Sequence, residues 1–239
     1  MYKDYRISIP FFEFGPKAYL YGERLLALVK EIDRLAHKYD MDVIVDPQTT
    51  DLRLIAENTS ERIHVFAQHM DGITPGPGMG TILPEAVKAA GAVGVILNHA
   101  EKKLTIDEIA KIIRRADMIG LATMVCADTE EEIRAVARLA PNIIVAEPSR
   151  LIGTGIAVGR EYAEACMRIV AEINPDILVF PSAGISSGRD CENIIRAGSV
   201  AAGSSSAICK AADPVALAEE MMSAVRRTWD EIHKKTVNR

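Results

Sequence analysis

Glu147 closes an apolar run, Ile143-Ile144-Val145-Ala146, and is followed at once by Pro148-Ser149-Arg150-Leu151-Ile152-Gly153-Thr154-Gly155. A carboxylate fixed at a strand end beside a glycine-hinged loop is what a sheltered proton transfer needs: a positioned base and a lid that excludes water. His99 stands in a similar place, just after Val93-Gly94-Val95-Ile96-Leu97-Asn98. An imidazole there can stay neutral beside helix N-terminal amides and still donate a hydrogen bond to a carbonyl or enediolate oxygen. Lys17 lies at the exit of the first apolar run and is the candidate cation. Taken singly, each has an ordinary reading: a solvated loop acid, a surface or helix-capping histidine, a solvated lysine. Their shared place at the ends of β-rich runs favours chemistry.

Two more such ends carry small residues, Ser182-Ala183-Gly184-Ile185 and Gly203-Ser204-Ser205-Ser206-Ala207. Loops of this composition expose main-chain N–H groups at helix entrances, a physical phosphate site. Gly184, Ser205 and Ser206 in these loops are candidate phosphate-binding positions.

The elements that would position these groups alternate along the chain. Strands are predicted at 7–14, 42–46, 63–67, 93–97, 120–125, 142–146, 177–181 and 199–203. Helices are predicted near 19–38, 49–58, 83–90, 105–118, 129–138, 159–173, 188–196 and 213–234. Leu25, Leu28, Val29, Ile32 and Leu35 recur at helical spacing, as do Ile106, Ile109, Ile113 and Ala116. Thr105 with Glu108, and Thr129 with Glu132, have capping-box spacing and mark two helix starts. Several strands are apolar throughout, as strands covered on both faces are. Eight strand–helix units without a linker predict one domain over residues 1–239, an α/β (β/α)8 barrel. An open doubly wound sheet is the alternative, but it would carry a glycine-rich fingerprint after its first strand. Gly15-Pro16-Lys17 is not one. The last helix continues past residue 227 towards Trp229 and Ile232, longer than closure requires, so its end is expected to pack on a partner.

Bulk properties narrow the function. The 239 residues are 49% hydrophobic and 26% charged, with a net charge of −5. No basic face is advertised, which argues against nucleic acid as the main partner. No long apolar run suggests a spanning helix or a leader peptide, so no membrane partner is expected. Cys126, Cys166, Cys191 and Cys209 form no CxxC pair and read as buried free thiols, in keeping with a reducing cytoplasm. His37, His64, His69 and His233 lack metal-ligand spacing, and Asp46 alone does not complete a site, so no metal is expected. Gly76-Pro77-Gly78-Met79-Gly80 lacks the Lys-Ser/Thr ending of a nucleotide loop and reads as a surface loop or an oligomer contact.

Several segments together resemble the triosephosphate isomerase family, in its shorter, archaeal-type form. The resemblance is densest from about residue 66 to 210. It is carried by Phe66-Ala67-Gln68-His69-Met70-Asp71, by Ile82-Leu83-Pro84-Glu85-Ala86-Val87 and by Asn98-His99-Ala100-Glu101-Lys102-Lys103. Glu147-Pro148 with Leu151-Ile152-Gly153-Thr154-Gly155-Ile156 resembles the family's catalytic acid and lid, and Ala183-Gly184-Ile185-Ser186-Ser187-Gly188 its phosphate loop.

The resemblance implies that Glu147 is the base, that His99 polarises the carbonyl and shuttles protons, that Lys17 offsets negative charge, and that Ile152, Gly153, Gly184, Ser205 and Ser206 hold the phosphate. It implies no metal or organic cofactor, a small phosphorylated sugar as substrate, and a homodimer or homotetramer. There are departures. Gly15 stands where the family has Asn, Ala100 replaces a Ser, Met79 replaces the Thr that reaches a partner subunit, and Ser205-Ser206-Ala207 replaces Ala-Ser-Gly. The leading expectation is triose-phosphate isomerisation. The departures motivate two others: the same chemistry on another phosphorylated ketose such as a tetrulose phosphate, and a barrel that binds phosphometabolites without catalysis.

Overall fold

The computed structural model describes residues 1–237, with side chains described to residue 233. Eight strands, β1 (Phe11–Phe14), β2 (Asp42–Val45), β3 (Ile63–Ala67), β4 (Gly94–Leu97), β5 (Ala122–Ala127), β6 (Ile143–Ala146), β7 (Leu178–Pro181) and β8 (Ala201–Ser204), alternate with helices. The helices are α1 (Gly22–Lys38), α2 (Leu52–Ala56), α3 (Pro84–Ala89), α4 (Ile106–Ile119), α5 (Glu130–Arg138), α6 (Arg160–Ile173), α7 (Gly188–Arg196), α8 (Ser206–Lys210) and α9 (Pro214–Val237). Every strand pairing is parallel, in the order β7-β6-β5-β4-β3-β2-β1-β8. The two ends of that order, β7 and β8, lie side by side and nearly close the (β/α)8 barrel. Across the seam the Ser204 hydroxyl donates to the Ile185 carbonyl at 3.0 Å.

Strand alternation divides the core in two. Phe12, Phe14, Val43, Val45, Ile144 and Ala146 face the helices. Phe11, Ile44, Phe66, Ile96, Met124, Val145 and Phe180 fill the barrel interior. Continuing the inward set by two residues reaches Glu13, Asp46 and Glu147, one layer nearer the mouth.

Several boundaries differ from the sequence reading. The first strand covers 11–14 rather than 7–14, because residues 7 and 8 are irregular and the chain bends at Ile9-Pro10 before pairing begins. The helix expected at 49–58 is a 3-10 turn (Thr49–Asp51) followed by the short α2. The extra helix α8 was not expected, and α9 runs on to Val237. Thr105 and Glu108 complete a capping box at α4. Its first residue, Ile106, is exposed rather than part of the buried stripe, because the cap turns it away from the core. Thr129 accepts from the Glu132 N–H at α5, but the Glu132 carboxylate takes the Asp128 N–H instead of closing the box. Cys126, Cys166 and Cys191 are buried free thiols, whereas Cys209 is half-buried. No helix among the described residues is long and apolar enough to cross a membrane.

Candidate active site

The C-terminal mouth of the barrel opens into a cavity of about 590 Å³. Glu147, His99, Lys17, Ile152, Gly153, Gly184, Ser205 and Ser206 all line it. The structure therefore brings together every site residue expected from the sequence.

Glu147 follows β6 directly, and its N–H bonds to the Ala127 carbonyl at 2.8 Å, so the ladder fixes its backbone. Its carboxylate is almost wholly shielded, with the side chain 12% exposed. Loss of hydration pushes its pKa up to about 7, against a lowering by Lys17. The carboxyl is thus poised near neutrality. Glu147 Oε2 lies 3.6 Å from His99 Nε2.

His99 sits in a single turn closed by the Lys102 N–H on its carbonyl at 2.8 Å. The helix anticipated beside it starts only at Ile106, so the expected run of helix amides is absent. A single amide takes their place. The Glu101 N–H donates to His99 Nδ1 at 3.1 Å. Nδ1 is therefore unprotonated, and the neutral ring carries its proton on Nε2, the nitrogen that faces Glu147. Burial and the nearby Lys17 charge pull the histidine's pKa down to about 4. The turn is set by Asn98, buried in a left-handed conformation (φ 59°) that Asn tolerates. Its amide donates to the Cys126 carbonyl and to Glu132, and its oxygen accepts from the Leu104 N–H.

Lys17 also has a positive φ, 49°. Its carbonyl accepts from the Gln48 and Gln68 side chains at 2.8 and 2.9 Å, which hold this backbone in place. Its ammonium is bound to Glu101 Oε1 at 2.9 Å. Glu101 thus orients two of the three groups, Lys17 with its carboxylate and His99 with its N–H.

The lid starts on Ser149, tied to Asp128 through its N–H (2.9 Å) and hydroxyl (2.5 Å). It ends where the Val158 N–H reaches the Ala183 carbonyl at 3.3 Å. Between these anchors residues 153–156 are exposed. Gly184 (φ 71°) sits against the Ile156 carbonyl so closely that a Cβ there would overlap it. The glycine lets this segment and the loop after β7 touch.

Helix entrances contribute unequally. Two first-turn amides of α7 are taken, the Gly188 N–H by Glu220 and the Asp190 N–H by the Ser187 hydroxyl, and the Ser186 N–H just before the helix bonds to Asp190. In the loop after β7, Gly184 lines the cavity. On the β8 side, the Ser205 hydroxyl is buried without a partner.

Sequence reasoning missed Gln48, Gln68 and the inward acids Glu13 and Asp46, all of which line the cavity. The signal for the acids was present: a charged residue at an inward position of an apolar strand, two residues beyond Phe11 and Ile44. Among the described residues no group of His, Cys, Asp or Glu is arranged to hold a metal ion.

A parallel barrel carrying an acid, an imidazole and a lysine around one mouth, facing glycine- and serine-rich loops after its last two strands, falls within the phosphate-handling (β/α)8 enzymes. Comparison with known proteins narrows the class. The family model described as triosephosphate isomerase matches residues 16–213. The triosephosphate isomerase of Sulfolobus acidocaldarius is 37% identical over 204 residues, 84% of this chain and 88% of that protein. That of Methanocaldococcus jannaschii is 41% identical over 172 residues, covering 71% and 78%. That of Methanobacterium bryantii is 38% identical over 207 residues, covering 85% and 91%. The chain belongs to the triosephosphate isomerase family.

Proposed function

We propose that this enzyme interconverts dihydroxyacetone phosphate and glyceraldehyde 3-phosphate through an enediolate. The observation that carries the reading is the pairing of a shielded carboxyl poised near neutrality with a neutral imidazole whose proton is fixed on Nε2. Glu147 removes a proton from the carbon next to the carbonyl and returns it to the neighbouring carbon. His99 donates from Nε2 to the carbonyl oxygen, moving protons between the two oxygens. A glutamate base beside a neutral imidazole is the established pattern of this very family, and here the tautomer is reached from the Glu101 N–H contact. Lys17 offsets charge on the substrate and the enediolate. Amides at Ile152, Gly153, Gly184, Ser205 and Ser206 hold the phosphate, and lid closure keeps water from the intermediate. The test is solvent-deuterium incorporation into dihydroxyacetone phosphate. Wild type exchanges, and Glu147→Gln loses about 10²–10⁴ in rate; an undiminished rate in the variant rejects Glu147 as the base.

Residues 1–239 are read as one barrel domain, working in the cytoplasm on a small phosphorylated sugar. We further infer a homo-oligomer, dimer or tetramer. The loop carrying Gly76–Gly80 is exposed, with Met79 fully so, and an apolar loop tip of this kind fits a neighbouring copy. The end of α9 is the weaker candidate for that contact, because Trp229 and Ile232 pack against the chain's own core. Sedimentation at micromolar concentration tests the assembly, and a monomer there rejects it.

A further inference from the structure

Two acids in the mouth have no part in the reaction just described. Alternation along β1 and β2 turns Glu13 and Asp46 into the cavity, one layer above Phe11 and Ile44. The strands are neighbours, with Glu13 paired in register to Ile44. Asp46 is buried, and its Oδ1 has no hydrogen-bond partner. The two carboxyls converge on the space beside Gly15. A Cβ on Gly15 would stand 2.7 Å from Glu13 Oε1 and 3.1 Å from Asp46 Oδ1. A Cβ on Gly203 would collide with Glu13 Oε2. Both glycines are thus needed to seat the Glu13 carboxyl.

Charge and oxygen counting indicate what this pair is for. The nearest cation, Lys17, is already engaged by Glu101. Burial, then the repulsion of neighbouring acids, Asp46 and Glu147, raises the Glu13 pKa well above the usual carboxylate range. Burial raises that of Asp46 to about 8, with Glu147 adding to the rise and Lys17 opposing it. Two carboxyls that keep protons near neutral pH do not repel a phosphate dianion, and together they both donate and accept hydrogen bonds. A group with that double capacity matches an O–H. A triose phosphate has only two oxygens outside its phosphate group, and His99 Nε2–H and the Lys17 ammonium are donors enough for both. The acid pair therefore faces oxygens that a triose does not carry.

We propose that Glu13 and Asp46 form a hydroxyl-binding subsite, and that besides the triose the enzyme isomerises a phosphoketose at least one hydroxylated carbon longer. This rests on the isomerase reading above and extends its substrate range. The experiment compares kcat and KM, by deuterium incorporation, for dihydroxyacetone phosphate and a tetrulose phosphate. Wild type turns over both substrates. Glu13→Val and Asp46→Val raise the four-carbon KM by about 10- to 100-fold, the scale of a lost hydrogen bond to a charged or strongly polar group, and raise the triose KM far less. Glu13→Gln, which keeps shape, donor and acceptor, retains most of the four-carbon activity and separates recognition from misfolding. Turnover of the triose alone, or parallel losses on both substrates in the Val variants, overturns the subsite and leaves the isomerase reading intact. Exchange with neither substrate overturns both.

Discussion

Glu147→Gln removes a charge that the fold shelters, so the variant should be inactive yet more stable than wild type at alkaline pH. The size of the gain follows from the site. Burial moves the carboxyl from its ordinary 4.5 to about 7. One unit corresponds to about 1.36 kcal/mol, so the ionised side chain costs the folded state about 3 kcal/mol. Because the folded pKa is raised, the folded state binds the proton more tightly than the unfolded chain does. The favourable contribution is complete below pH 4.5 and is lost as pH rises through about 7. Glutamine does not titrate. The stability difference between variant and wild type should therefore grow by about 3 kcal/mol from about pH 4 to about pH 8. Glu13 and Asp46 remain in both proteins, and losing the Glu147 charge eases their ionisation, which adds in the same direction. Urea unfolding of both proteins at several pH values measures this. A stability difference that stays flat across that range would refute the claim that Glu147 is held by burial near neutrality.

Three further outcomes are expected. The kcat/KM of wild type should climb with pH to a plateau above about 7, the acidic limb belonging to Glu147, since His99 is already neutral above about 4; a pH–rate profile with its acidic limb near 4 would contradict this. Glu101→Gln removes the anionic partner of Lys17 and should raise KM about tenfold, while ¹⁵N shifts of His99 still report a proton on Nε2, because the main-chain N–H that sets the tautomer survives. Gly184→Ala drives a methyl group into the Ile156 carbonyl at a backbone φ of 71° and should lower kcat by about 10² with the barrel still folded, as judged by circular dichroism.

The barrel was legible because its strands are short apolar runs and its helices are amphipathic, as the buried faces of α1 and α4 bear out. Glu147, His99 and Lys17 could be found because each lies within three residues of the end of such a run. The supporting shell was harder to see. Gln48 and Gln68 act through the Lys17 carbonyl from two other strands' loops, a contact that no local spacing encodes. Glu101 could be quoted as part of a motif, but its double action on Lys17 and His99 depends on a turn only three-dimensional closure creates. The α7 entrance reads as an open anion site from its serines and glycines, yet Glu220, 32 residues further on, takes its amide. Gly15 reads in isolation as a missing side chain. In the fold it is the space that the Glu13 and Asp46 carboxyls require.

The proposed reaction has Glu147, His99 and Lys17 act on one substrate held by the loops after β7 and β8. A crystal structure with a phosphorylated enediolate mimic tests this most directly. The expected complex has His99 Nε2 donating to an oxygen of the mimic, the Glu147 carboxylate against its reacting carbons, and the phosphate on the amides of Gly184, Ser205 and Ser206. A mimic whose phosphate lies elsewhere, or whose oxygens are out of reach of His99 Nε2, would contradict it.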